Sequence, residues 1–285
     1  MIAIARITLL EALRRRLLWA LLGLTILSVL LTTWGIGRLV DVARTSRGGL
    51  DAIELALGVS QVLILVAFMF SFVLAMTGAF LGAPAIAGDL ESGVALAVLA
   101  RPIRRADLVV GRWLGLSLVL AAYALGAGIL ETVAVATISG YTPPDPIGAA
   151  LHVAGEGIVL LTFALLLSTR LPAIAGGAIA VVAFGLVWMA GVLGGVGAFF
   201  GVPALATAAD AANVVLPTDL LWRGAVFALE PPAIILAAGG VPARALVANP
   251  FYAAAPLSPA ELAWAATWVA VVLGLAVLSL DRREI

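Results

Sequence analysis

The chain contains no cysteine. Disulfides, thiolate metal sites and a cysteine nucleophile are excluded together. It contains no lysine either, since all 16 basic residues are arginine. A P-loop needs a lysine on the β- and γ-phosphates, so this chain cannot build one. Schiff-base and lysine-general-base chemistry are excluded with it. The only histidine is His152; a metalloprotease helix needs two, at i and i+4. No G-x-S-x-G elbow is present to use His152 in a serine hydrolase. Charged residues make up only 11% of the chain, against roughly 25% in a soluble domain. Their formal net charge is +0, so no overall basic field suits a nucleic-acid partner.

What is present is apolar surface. Hydrophobic residues are 64% of the chain, against roughly 45–50% in soluble domains, and lipid must be the solvent. The pattern predicts an all-α polytopic membrane protein, residues 1–285 forming one transmembrane domain of six helices. Residues 1–16 read as an amphipathic helix in the headgroup layer, with Ile2, Ile7, Leu9, Leu10 and Leu13 apolar and Thr8, Glu11 and Arg15 on another face. The apolar run after Arg16 is too long for a signal h-region, and no cleavage site follows it, so this segment is expected to stay attached.

The expected spans are Leu17–Gly35, Leu55–Ala83 ended by Pro84, Trp113–Ile138, Leu151–Thr169, Ala173–Phe200 and Leu262–Leu280. Arg38–Glu54 reads as a polar loop and 85–112 as the most polar stretch between spans. Residues 201–261 are apolar but cut by seven prolines from Pro203 to Pro256, and are expected to form short helices lying on, or partly re-entering, the outer membrane face. With the N-terminus in the cytoplasm, only Arg38, Arg44, Arg47, Arg223 and Arg244 fall outside, against eleven inside. The positive-inside rule then places both termini in the cytoplasm. Trp19, Trp34, Trp113, Trp264 and Trp268 fall near span ends, as an aromatic belt would place them.

The stretch AIAGDLESGVALAVLARPIRRADLVVGR carries the most information. Asp89 and Glu91 precede a short apolar helix, Val94–Ala100, and suit its N-terminal dipole. Arg101-Pro102 breaks that helix, and Arg104 and Arg105 lead into the third span. A membrane-surface helix flanked by ordinary positive-inside arginines explains the same pattern. The spacing of Glu91, Gly93, Leu99, Pro102, Ile103, Arg105, Leu108, Gly111, Arg112 and Gly115 resembles the segment between the second and third spans of ABC-2-type ABC transporter permeases. The amphipathic start resembles that family's elbow helix. Leu216-Pro217-Thr218-Asp219-Leu220-Leu221-Trp222-Arg223 resembles the N-P-T-D segment of permeases that mature the copper site of nitrous oxide reductase, with Leu216 in place of Asn.

The resemblance implies a permease subunit in the cell membrane, powered by a separate ATP-binding subunit and most often an exporter. It implies two such ATPase copies, which bind ATP and Mg so that this chain holds no cofactor, and a second permease subunit in a homo- or heterodimer. Asp89, Glu91, Arg101, Arg104 and Arg105 would meet the ATPase or brace its loop, with the Ser168–Pro172 turn a smaller contact.

Three ionisable residues fall inside spans: Glu131, His152 and Glu156. Such residues are costly in lipid and mark functional sites by default, here an outer-leaflet patch along a translocation path. His152 and Glu156 lie at i, i+4 and are placed to pair; a hydrogen-bonded packing cluster is the bland alternative. Gly191 and Gly195 form a GxxxG pair that suits a seam between permease halves or close packing within one chain. Two other classes fit less well: a gradient-driven secondary transporter, for which no repeat is visible, and a structural membrane subunit.

Overall fold

The structure, a computed structural model, describes residues 1–14, 16–45, 51–93, 104–231, 246 and 248–283. Helix is the only way these apolar segments can satisfy their backbone groups away from water, and among the described residues no strand occurs. In chain order the helices are α1 (Ile2–Arg14), α2 (Arg16–Thr45), α3 (Ala52–Gly82), α4 (Pro84–Glu91), α5 (Arg105–Ser139), α6 (Pro146–Ser168), α7 (Ala173–Phe200), α8 (Pro203–Val215), α9 (Thr218–Leu229) and α10 (Pro259–Asp281). Among the described residues six stretches are long and apolar enough to cross a membrane: α2, α3 with α4, α5, α6, α7 and α10.

The helices outrun the apolar runs that predict them. α2 continues through the expected polar loop to Thr45, and α5 begins at Arg105 rather than Trp113. Pro84 does not end the second span. Ala83 stays in the right-handed helical region, and Pro84 takes the first position of α4, where its missing N–H costs no hydrogen bond. The polar stretch expected over 85–112 therefore shrinks to the link between Glu91 and Arg105. The Val94–Ala100 helix and Arg101 lie outside the described residues.

α6 is the central helix. Of its most apolar stretch 61% is buried, against 22% for α2 and for α10. Glycines bring α3 against it: a Cβ at Gly78 would sit 2.4 Å from the Gly157 carbonyl oxygen, and one at Gly82 2.7 Å from that of Leu161. Where lipid removes the hydrophobic drive between helices, such close approach is what packs them.

α1 crosses the start of α5 at Gly111 and Gly115, whose absent side chains leave room for Ile4 and Thr8. Thr8 is buried there, which corrects its expected place on a polar face. Ile2, Ile7, Leu10 and Leu13 stay exposed on the other side of α1, as an interfacial helix requires.

Met1 and the described C-terminal end of α10 with Arg283 sit at one end of the bundle. The Met1 ammonium is 3.5 Å from Asp107, and Arg105 donates to the carbonyls of Leu280 and Arg283. At the other end α8 folds back along α7. α9 re-enters the bundle, with Trp222 fully buried and donating from Nε1 to the Pro250 carbonyl at 3.0 Å. Trp113 and Trp268 are not belt residues. Their indole N–H groups bond inside the protein, to Thr162 Oγ1 and the Val215 carbonyl, each at 2.8 Å.

Candidate functional site

At the end that carries Met1 and Arg283, five helix ends are laced together by charge. Arg112 of α5 forms a hydrogen-bonded ion pair with Asp89 of α4 and also donates to the Ala85 carbonyl. Glu91 Oε1 accepts the backbone N–H of Ala173 at 3.1 Å, placing a carboxylate at the positive N-terminus of α7. Arg105 Nη1 donates to the carbonyls of Leu280 (2.7 Å), Asp281 (3.1 Å) and Arg283 (2.8 Å), a cation on the negative end of α10. Arg170 donates to Ser279 Oγ and to its carbonyl, and Arg283 to the Thr169 carbonyl at 2.6 Å. Arg104 stands exposed at the N-cap of α5.

This lacing assigns a partner inside the chain to several residues expected to face a partner subunit. The Asp89 carboxylate is engaged by Arg112. Arg105 and Glu91 cap α10 and α7. Gly93, at φ 76°, makes a left-handed turn that a side chain would oppose, and there the chain leaves α4. The link to Arg105 is thus held at both ends by ion-pair and capping bonds. Beside it lies a cleft of about 150 Å³ lined by Ala87, Leu90, Glu91, Arg170, Leu171 and Arg283.

The acids inside the bundle go to separate places. Glu131 is 2% exposed and accepts from Ser28 Oγ at 2.7 Å, bridging α5 to α2. Glu156, equally buried, accepts from Ser71 Oγ of α3. His152 turns to α9, where a Cβ on Gly224 would lie 2.8 Å from its Cδ2. No hydrogen bond or ion pair joins His152 to Glu156 among the described residues, so their expected pairing is corrected. α6 is enclosed on several sides, and each side chain meets a different neighbour.

Gly191 is also placed differently from a subunit seam. It is buried against its own chain, with Arg223 Nη2 donating to its carbonyl at 3.1 Å and the Asp219 carboxylate over its Cα. Gly195 is buried in the same helix. The close approach at Gly191 is to α9.

That contact belongs to a polar knot not singled out in the sequence beyond its likeness to N-P-T-D. Asp219, 4% exposed, accepts from Arg223 Nε at 2.9 Å, and Asn213 Oδ1 accepts the Leu220 N–H at 2.9 Å. The i, i+4 spacing of Asp219 and Arg223 was its one readable signal.

At the far end, Glu230 closes α9. Its carboxyl accepts the Ala253 N–H at 3.2 Å, and burial pushes its pKa up to about 7. Burial and the nearby Glu230 charge also raise the Tyr141 phenol, whose hydroxyl donates to the Leu229 carbonyl at 2.8 Å.

The six candidate spans among the described residues and the amphipathic N-terminal helix put the chain in the class of polytopic α-helical membrane proteins. Residues 2–285 match the ABC-2 family transporter proteins, and the chain belongs to that family. It is a multi-pass membrane protein and an ABC transporter permease. No curated protein matches it.

Proposed function

We propose that this chain is the membrane half of an ATP-driven exporter in the cell membrane, with both termini cytoplasmic. It pairs with a second permease subunit, and two copies of a separate ATP-binding subunit supply ATP and Mg. The link between Glu91 and Arg105 is the segment those subunits grip. The observation that carries this reading is the family match over nearly the whole chain together with the lacing around that link. A force applied there passes directly into α4, α5, α7 and α10 through Asp89–Arg112, Glu91–Ala173 and Arg105–Leu280. The absence of lysine supports the division of labour, since the phosphate cradle must lie on another chain.

The test is purification of the tagged chain from its native membrane in mild detergent, with co-eluting proteins identified. A stoichiometric partner bearing a P-loop lysine is expected, lost when Arg101, Arg104 and Arg105 are changed together to Glu. An intact, folded chain with no such partner contradicts the reading.

A further inference from the structure

Two hollows lie side by side near Glu131, which lines the first of them. The first is a cavity of about 50 Å³ inside the bundle, walled by α3, α5 and α6. Its polar lining side chains are Tyr123, Glu131 and Thr132. Tyr123 is bonded to Thr25 at 2.8 Å and Thr132 to the Gly128 carbonyl at 2.8 Å. Glu131 uses Oε1 for Ser28, but its Oε2 is buried with no hydrogen-bond partner among the described residues. The Thr32 hydroxyl stands beside the same carboxyl outside hydrogen-bond geometry. The second hollow is an apolar groove of about 330 Å³ between α2 and α3, lined by Leu24, Leu27, Ser28, Thr32, Met69 and Phe70 among others. Phe70 and Val66 wall both hollows. Ser28 lines the groove and bonds to the acid behind it.

A carboxyl oxygen buried without a partner in an apolar wall is costly whether it carries the proton or not, because one form lacks an acceptor and the other a donor. A primary amine relieves both forms. Acid and amine together share one proton, so the pair enters the membrane with no net charge, and a rotation of the carboxyl, whose Oε2 is enclosed, presents it to the amine's N–H groups. The cavity has room for the amine nitrogen and the first carbon or two, with a few water volumes at most, while the groove has the size and apolarity for an alkyl body.

We infer that the α2–α3 groove and the Glu131 cavity form one binding site for a lipophilic primary amine, entered sideways from the lipid. As a substrate site this rests on the permease reading; as a binding site it stands without it.

The probe is tritiated dodecylamine, measured by scintillation proximity on the full chain in lipid nanodiscs, with empty nanodiscs subtracted and tritiated dodecanol as the uncharged counterpart. Saturable amine binding is expected, at least tenfold weaker for the alcohol. Glu131→Gln, whose amide still accepts from Ser28, is expected to weaken amine binding at least tenfold, and Glu156→Gln to leave it unchanged. Met69→Trp, on the lipid-facing lip of the groove, weakens it with the acid intact and keeps the test readable if Glu131→Gln fails to fold. No saturable binding, alcohol binding as tight as amine, or binding unmoved by either Glu131→Gln or Met69→Trp overturns the site. The ATP-binding partner is scored in parallel. Its presence without amine binding refutes the site alone; its absence with amine binding intact supports the site and refutes only the proposed pairing with an ATP-binding subunit.

Discussion

Adding one methyl group at Gly191 tests how α9 is held in the bundle. A Cβ there would lie 2.3 Å and 2.4 Å from the two carboxylate oxygens of Asp219, roughly 1 Å inside ordinary contact. That carboxylate cannot swing away freely, because Arg223 holds it at 2.9 Å and Arg223 is itself tied to the Gly191 carbonyl. Overpacking of this kind costs about 1–3 kcal/mol. Alanine is the better helix former by about 1 kcal/mol, so Gly191→Ala alone should destabilise by about 0–2 kcal/mol. With Asp219→Ala already in place the clash is gone and only the helix-forming gain remains, so the same methyl should then stabilise by up to about 1 kcal/mol. The cycle predicts a coupling of about 1–3 kcal/mol, read from reversible unfolding of the four proteins in mixed detergent micelles. Equal effects of Gly191→Ala in both backgrounds would refute the contact. A change in dimer content without a change in stability would return Gly191 to a subunit seam.

Three further outcomes follow from the lacing and the far-end clasp. Glu230 has a folded pKa of about 7, above its ordinary 4.5, so its contribution to stability is complete below about pH 4.5 and is lost as pH rises through about 7, on the order of 3 kcal/mol in all; thermal melts between about pH 5 and pH 8 should slope for the wild type and flatten for Glu230→Gln, and parallel slopes would contradict this. Arg112→Met leaves Asp89 unpaired in a mostly buried setting and should cost about 2–4 kcal/mol; the Arg112→Met, Asp89→Leu double variant should recover most of it in the same melts, and no recovery would argue against the pair as the cause. Arg105→Gln removes the cation from the α10 C-terminus, a loss of about 1–2 kcal/mol; hydrogen exchange should rise at Leu280–Arg283 before anywhere else, and unchanged protection there would count against the cap.

The legible parts of the fold were those written locally. α7 was readable at both ends because Pro172 precedes it and Gly201 follows it. The six spans were readable because apolar runs of that length have few other fates. Helix ends elsewhere were not, because hydropathy marks where lipid begins rather than where the backbone stops hydrogen bonding, as Thr45 and Arg105 show. Trp113 and Trp268 illustrate a second limit: proximity to a span end does not reveal whether an indole N–H finds a headgroup or a buried acceptor. The charged motif was legible as a pattern, but its partners are remote in sequence. Glu91 meets Ala173 and Arg105 meets Leu280 only after the bundle has formed. Gly78 and Gly191 pose the same difficulty, since a small residue declares close approach without naming the helix that approaches.

The central claim is that the link between α4 and α5 is where an ATP-binding subunit docks. The cysteine-free chain allows a direct measurement: single cysteines at Ser92 and Ser258, beside that link and at the opposite end of the bundle, each loaded with a short thiol-to-amine cross-linker in native membranes. The account predicts a cross-link from Ser92→Cys to a P-loop ATPase and none from Ser258→Cys. A cross-link confined to Ser258→Cys, or an ATPase that co-purifies with the chain yet is never captured from Ser92→Cys, would contradict it.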